Sequence, residues 1–341
     1  MPTAAAVLVQ QPTGSQIYGC KHQKPISVLS RKSLPEEKWR VLRELQTLEA
    51  KYNWMTLFFV GVWVASGLLF LHSSFFVFQI ACYFLMACCV NALPILMHEG
   101  CHSLLHKNPM VNRWLGFFCG LPGLVSVSAY RSIHLIHHGH TRSKDDPDDI
   151  ENSPRQSMPL VLIYYVVLLV GIYIYIFTVP VVGFQKAQPR AKKNILAEYG
   201  MMLGIYTALF ILVPFEFLLH LWLIPLVIAG QLSNVRGLAE HGLTTGGNEF
   251  TDTRTVLSNR FVSLMMCNLN YHLEHHLFPG IPWYNLPKVH AELNDVYRRA
   301  GSSVYSSYTR FLIDFFRTTW GNQIVPHFRL IPAHIREEIC L

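Results

Sequence analysis

Charged residues are scarce in this chain of 341 residues. Asp, Glu, Lys and Arg together make up 14% of the sequence, whereas a soluble globular domain contains about 25%. Hydrophobic residues make up 51%, and the mean hydropathy is positive at +0.27. Much of the surface must therefore face something other than water. This excludes an ordinary cytosolic domain and a disordered or collagen-like chain, and it indicates a polytopic membrane protein.

Other common features are missing as well. None of the eight cysteines forms a CxxC pair, so we expect reduced core thiols rather than a disulfide framework. The first long apolar run begins after about fifty mostly polar residues, so no secretory signal is expected. The net charge of 28 − 21 = +7 is modest. We attribute it to membrane orientation and to an acidic protein partner, and expect no nucleic-acid partner.

Two uncharged runs, residues 54–71 and 75–97, predict a transmembrane hairpin. The turn between them carries no Lys or Arg, whereas the approach to the first run carries Arg40, Arg43 and Lys51. The positive-inside rule therefore places the turn outside and both ends of the hairpin on the cytosolic side.

Two further apolar stretches cover residues 158–184 and 195–235. Because a basic segment separates them, we expect the first to dip into the membrane and return as a re-entrant or interfacial hairpin. The second is expected to cross twice, turning near residues 214–216. The predicted fold is an all-α integral membrane protein with about four transmembrane helices, this hairpin and a cytosolic helical cap.

The predicted organisation has four segments. A flexible tail covers residues 1–32, and residues 33–53 form a helix in the headgroup region or one packed on the cytosolic body. The membrane domain covers residues 54–293, and a helical extension covers residues 294–341.

The chain contains seventeen histidines, and their spacing is informative. His98, His102 and His106 recur every four residues at the end of the second apolar run. The stretches HLIHH and HLEHH share the spacing HxxHH and supply His134, His137, His138, His272, His275 and His276. His241 stands alone at the end of the last apolar run. Because helix positions i, i+3 and i+4 share a face, each HxxHH could offer three imidazoles to one locus.

Nine imidazoles exceed what one metal ion can hold, so we predict two metal ions. His98, Glu99 and His102 also fit HExxH, the motif of zinc metalloproteases, which makes an intramembrane zinc protease a rival hypothesis. That enzyme would leave both HxxHH stretches without a role. Zinc also lacks redox chemistry, whereas iron can activate O₂, so an all-histidine site at a membrane favours oxidation of a lipid.

The ordered series HEGCH, HLIHH and HLEHH resembles the three histidine boxes of the membrane fatty acid desaturase superfamily, which also contains lipid hydroxylases and carotenoid ketolases. The similarity covers roughly residues 54–293. It implies a non-haem di-iron site beneath mostly four transmembrane helices. Carried over by match, the implied ligands are His98, His102, His134, His137, His138, His241, His272, His275 and His276.

Four further residues lie close to the boxes in sequence. Asp148 and Glu274 could accept the second N–H group of a ligand imidazole, which fixes its tautomer. His106 and Asn270 could support the ligands or orient water. The di-iron centre itself is the expected catalyst, and no separate acid or base is assigned.

The resemblance implies an O₂-dependent desaturase that acts on an acyl lipid in the bilayer. Carotenoid ketolases, carotenoid hydroxylases and lipid hydroxylases use the same kind of site and remain open as alternatives. The sequence has no HPGG haem-binding segment and no Gly-rich dinucleotide fingerprint. Electrons are therefore expected from an external donor, ferredoxin or cytochrome b5, on the cytosolic or stromal side of the membrane.

Overall fold

The structure is a computed structural model that describes residues 30–148, 160–244 and 247–324. These residues are mostly helical, and their β structure is one short parallel pair. Most of the predicted tail, residues 1–29, and the end of the predicted extension, residues 325–341, lie outside the described residues.

Among the described residues, five helices are long and apolar enough to cross a membrane. They are α2 (Trp54–His72), α3 (Phe76–Cys101), α6 (Leu160–Lys186), α7 (Pro189–Leu212) and a last helix formed by α8 (Phe215–Leu218), a π-helical turn (Leu219–Leu223) and α9 (Ile224–His241). The protein is thus a multi-pass integral membrane protein. The predicted turn near residues 214–216 is confirmed, because α7 ends at Leu212 and α8 begins at Phe215.

The stretch of residues 158–184, predicted as a re-entrant or interfacial hairpin, does not turn back within its described part. Residues 160–186 form the single continuous helix α6, and even Pro180 lies inside it. A return within this segment would leave turn backbone groups without hydrogen-bond partners in an apolar medium. Residues 160–179 also include few residues that favour a turn. A continuous helix, which satisfies its own backbone hydrogen bonds, is therefore favoured.

A returning hairpin lies elsewhere, in α4 (Pro109–Gly120) and α5 (Val127–His140). Its tip lies among the spanning helices: Trp222 Nε1 donates to Pro122 O at 3.0 Å, and the Tyr206 hydroxyl donates to Leu121 O. A Cβ atom added at Gly123 would lie 2.6 Å from Pro94 of α3. The tip is therefore anchored at the level of the membrane helices, and α5 carries HLIHH back from it.

The buried carboxylate of Glu198 on α7 fixes the start of α5. It accepts hydrogen bonds from the hydroxyls of Ser126 and Ser128, both at 2.6 Å, and from the Ser128 N–H at 3.0 Å. Negative charge is favourable beside the free N–H groups of a helix N-terminus. A spanning helix thus caps the helix that carries the second histidine box.

The remaining elements form a body beside the histidine-bearing helix ends. They are α1 (Glu36–Leu45), β1 (Arg254–Val256), α10 (Arg260–Met265), α11 (His272–Leu277), α12 (Leu286–Ala300), β2 (Ser303–Tyr305) and α13 (Tyr308–Ile324). Strands β1 and β2 are parallel, with Arg254 opposite Ser303.

Helix α1 packs on this body. Leu42 is fully buried in a core that includes residues of α12, and Lys38 Nζ lies 2.9 Å from Asp295. Within the predicted segment of residues 33–53, these contacts are made by residues of α1. The predicted boundary at residue 293 falls inside α12, whose buried residues on both sides share that core.

Close packing of α5 and α6 gives a first prediction, for Gly183→Ala. A Cβ atom at Gly183 would lie 2.6 Å from the Ala129 carbonyl oxygen, so α6 must move away from α5. We expect a loss of about 1–3 kcal/mol of stability, measured as a lower midpoint of thermal unfolding in detergent. The control is Gly200→Ala, where a Cβ atom would meet nothing within 4 Å. Equal midpoints for both variants would contradict this packing.

Candidate metal centre

The first histidine box lies at the end of α3. This end is buried throughout, and it places His98 and His102 one turn apart with their ring centroids 5.0 Å from each other. Glu99 between them is fully buried. Its Oε2 accepts a hydrogen bond from the Trp283 backbone N–H at 3.0 Å. Box one is thereby tied to the loop that follows box three.

The second and third boxes lie on two helices of the body side. Helix α5 carries His134, His137 and His138, and the short helix α11 carries His272, His275 and His276. His241 is the last residue of α9. All nine predicted ligands therefore meet in one region, brought together by α3, α5, α9 and α11.

The imidazoles form two groups. The first cluster consists of His98, His102, His134, His138 and His275, whose ligand atoms lie within 4.8 Å of one another. The second cluster consists of His137, His241, His272 and His276. Within it, one group joins His137, His241 and His276, and a second joins Glu240, His241 and His272.

Each HxxHH stretch serves both clusters, which differs from the expectation of one locus per stretch. His134 and His138 join the first cluster while His137 joins the second, and on α11 His275 joins the first cluster while His272 and His276 join the second. At 3.6 residues per turn, adjacent residues point about 100° apart. The i and i+4 rings therefore share one direction, and the i+3 ring can reach a neighbouring locus.

The spacing of the ring nitrogens fits metal binding. In the first cluster the Nε2–Nε2 distances are 3.0 Å for His102–His134, 2.9 Å for His134–His138 and 3.0 Å for His138–His275. In the second cluster the distance between His241 and His272 is 2.9 Å. Imidazole nitrogens lie about 2.1 Å from a bound divalent metal, so two ligands at right angles are about 3.0 Å apart.

Buried ring nitrogens without partners support the same fit. Among the described residues, neither ring nitrogen of His98 has a hydrogen-bond partner, and Nε2 of His276 has none. Buried polar atoms are rarely left in this state, because each costs about 1–3 kcal/mol. A metal ion in each cluster would take one ring nitrogen of His98 and Nε2 of His276 as ligands, so the residues present fit a metal-dependent site.

Burial favours the neutral form of five cluster imidazoles that lie outside the membrane-spanning helices. It lowers the pKa of His102 to about 3 and that of His138 to about 2. Burial, reinforced by neighbouring histidines, also lowers the pKa of His134, His275 and His276 well below the ordinary value. Neutral imidazole is the form that binds metal, so the site is ready to bind at physiological pH.

Carboxylates contact the outer nitrogens of second-cluster rings. Asp146 lies 2.8 Å from His137 Nδ1, and Glu240 lies 3.6 Å from His272 Nδ1. A carboxylate at Nδ1 directs Nε2 towards the metal and raises its basicity. Glu240 was missed in the sequence, whereas Asp146 belongs to the group of four aspartates after box two from which Asp148 was chosen. Glu240 directly precedes His241, and Asp146 is one of several aspartates after box two, among which spacing alone does not choose.

The four predicted supporting residues have different surroundings. Glu274 accepts hydrogen bonds from His290 Nδ1 at 2.6 Å and from the Thr255 hydroxyl. Asp148 accepts one from the Tyr175 hydroxyl at 3.0 Å, and burial raises its pKa to about 6. Asn270 Nδ2 donates to Val256 O. His106 Nδ1 accepts the Asn108 N–H, and the structure does not bring His106 into either cluster.

Similarity to known proteins identifies the family. The family model described as fatty acid desaturase matches residues 74–309. The chain is 25% identical to the sphingolipid delta(4)-desaturase DES1 of Drosophila melanogaster, over 84% of this chain and 87% of that protein. It is 26% identical to the human sphingolipid delta(4)-desaturase/C4-monooxygenase DES2, over 82% of this chain and 84% of that protein. Because the family model matches well over half of the sequence, the chain belongs to the fatty acid desaturase family.

Proposed function

We propose that this lipid desaturase introduces a double bond at carbon 4 of a sphingolipid chain, using O₂ and two iron ions held by the nine histidines. The observation that carries the proposal is the pair of clusters in which the Nε2 atoms of facing imidazoles lie 2.9–3.0 Å apart. Two adjacent sites of this kind suit a pair of redox-active metal ions better than one zinc ion.

The overall reaction needs electrons from outside. Two hydrogens leave adjacent carbons of the lipid, and O₂ takes up these two hydrogens with two further electrons and two protons to give two water molecules. When bound, the iron ions would supply the activation of O₂ and of the C–H bond. The donor is proposed to be cytochrome b5 or ferredoxin, drawn to the basic cytosolic side of the protein.

The protein's own residues hold and orient this site. Helices α3, α5, α9 and α11 supply the nine imidazoles. Asp146 Oδ1 lies 2.8 Å from Nδ1 of His137 and so orients this ring with Nδ1 pointing away from the cluster. Most of the rings are buried, which keeps bulk water from the region where the lipid would react. The same burial lets fixed groups act in a medium of low dielectric constant.

The rivals are less well supported. A zinc protease would need Glu99 as its general base, but this carboxylate is fully buried and accepts the Trp283 N–H. Carotenoid oxidation has no support among the relatives, which are named for sphingolipids. A second candidate is hydroxylation at the same carbon, because two of the relatives carry the name delta(4)-desaturase/C4-monooxygenase.

Metal content gives the second prediction, for His275→Ala. His275 is fully buried and belongs to the first cluster, so its loss should reduce the metal bound there. We expect about two iron ions in the wild-type protein purified in detergent and at least one fewer in the variant, by elemental analysis. The control His72→Ala should keep both, because His72 is exposed and its ring bonds to Leu68 O of its own helix. Zinc as the main metal in the wild-type protein would refute the di-iron site.

Lipid analysis gives the third prediction. In cells that lack sphingolipid desaturation, expression of the wild-type chain should produce sphingolipids with a double bond at carbon 4, detected by mass spectrometry. His275→Ala should produce none, because its oxidising site is incomplete. A hydroxyl group at carbon 4 would favour the second candidate. New double bonds confined to glycerolipid acyl chains would refute the proposed substrate class, and oxygenated carotenoids would refute desaturation.

A further inference from the structure

Arg254 is a buried cation outside the histidine clusters. It lies on β1, next to the end of α9, and is 3% exposed. Lys and Arg are seldom buried without a carboxylate partner. Among the residues that the structure describes, no carboxylate lies within ion-pair distance of Arg254. Its charge must be stabilised in another way.

The guanidinium binds the carbonyl groups at the end of α9. Nη1 donates to Ala239 O at 2.7 Å and to Gly242 O at 2.9 Å, and Nη2 donates to Leu243 O at 3.2 Å. The last carbonyl groups of a helix have no partners within the helix, and they carry the negative end of its dipole. Arg254 therefore binds backbone carbonyl groups on both sides of His241, from Ala239 to Leu243.

The other side of Arg254 is fixed by β2 and α13. Nε donates to Ser303 Oγ at 3.0 Å, and the guanidinium carbon lies 5.2 Å from the Tyr305 ring centre and 5.0 Å from that of Phe311. Stacking on aromatic faces stabilises a cation that has left water. Burial lowers the pKa of Arg254 to about 10, so it still carries its charge at neutral pH.

The next two residues of β1 bind box three. The Thr255 hydroxyl donates to Glu274 on α11. Val256 N–H donates to Asn270 O at 2.9 Å, and Asn270 Nδ2 donates back to Val256 O at 2.9 Å. Strand β1 thus holds the end of α9 through Arg254 and the start of α11 through Thr255 and Val256. The second cluster spans these two ends, with His241 and His272 2.9 Å apart.

We propose that Arg254 is a positioning residue for the second cluster: it holds His241 at bonding distance from His272, and without it the second metal ion is released while the first stays bound. The inference rests on the two-metal site proposed above. The first cluster depends less on this contact, because four of its five imidazoles come from α3 and α5.

The test measures iron in the purified full-length chain, loaded with Fe(II) in detergent. We expect two ions in the wild-type protein and about one in Arg254→Gln. Arg254→Lys keeps the charge but loses the planar fork, so it should hold an intermediate amount. Arg260→Gln is the matched control, because Arg260 is exposed on α10 and should not affect the count. His241→Ala provides the reference for loss of the second ion.

Release of iron to a chelator separates positioning from general stability. In Arg254→Lys one of the two ions should leave at least about tenfold faster than in the wild-type protein, the low end of effects seen for residues that orient metal ligands. If Arg254→Gln fails to fold, Ser303→Ala, which removes the partner of Nε, should still speed the release of one ion.

Two results would overturn the inference. In the first, Arg254→Gln binds two iron ions and releases them to the chelator at the wild-type rate. In the second, the variant loses both ions together at one rate. If the glutamine variant does not fold, wild-type release in both Arg254→Lys and Ser303→Ala would overturn it. A wild-type protein that binds fewer than two iron ions would instead refute the proposed di-iron site, so the two failures are distinguishable.

Discussion

The site requires nine imidazoles to stay neutral while they lie against one another, five of them buried and four partly buried, and the rest of the structure serves this requirement. A protonated ring here would repel its neighbours and lose its hydration. Burial lowers the pKa of His102 and His138 far below neutrality. The same burial gives the rings no water with which to hydrogen-bond, so their positions must be fixed by the backbone that carries them and by a few carboxylates.

The membrane-spanning helices help to fix the positions of the imidazole rings. Helix α3 carries box one directly at its end, and α9 ends with His241. Helix α5 does not cross the membrane, yet its start is bound to a spanning helix through Glu198, and its hairpin tip lies against Tyr206 and Trp222. The three histidine-bearing helices are therefore fixed relative to one another by contacts with the membrane-spanning helices.

The sequence predicted those features that depend on local spacing. The apolar runs gave four of the five spanning helices among the described residues, whereas the stretch that forms α6 was predicted to turn back. The box spacing gave eight of the nine histidines that the structure brings together, and His241 was predicted from its place at the end of the last apolar run. It did not predict features that depend on long-range packing. The hairpin of α4 and α5 was not predicted although residues 114–130 carry no charge, because its position is fixed by long-range contacts with α3, α7 and the π-helical turn. Asp146 and Arg254 contact the site only because a turn and a strand fold back onto it.

The division of each HxxHH stretch between the two clusters determines the distance between them. On α5, His134 and His138 face the first cluster and His137 the second; on α11, His275 faces the first and the other two face the second. Each helix is rigid over one turn, so a shift of α5 or of α11 as a whole moves rings of both clusters, whereas His241 on α9 belongs to the second cluster alone. Two metal ions held in this way would keep their separation without a carboxylate bridge. The separation would then be controlled by how α5 and α11 pack, and α11 is held by Glu274 through Thr255 and His290.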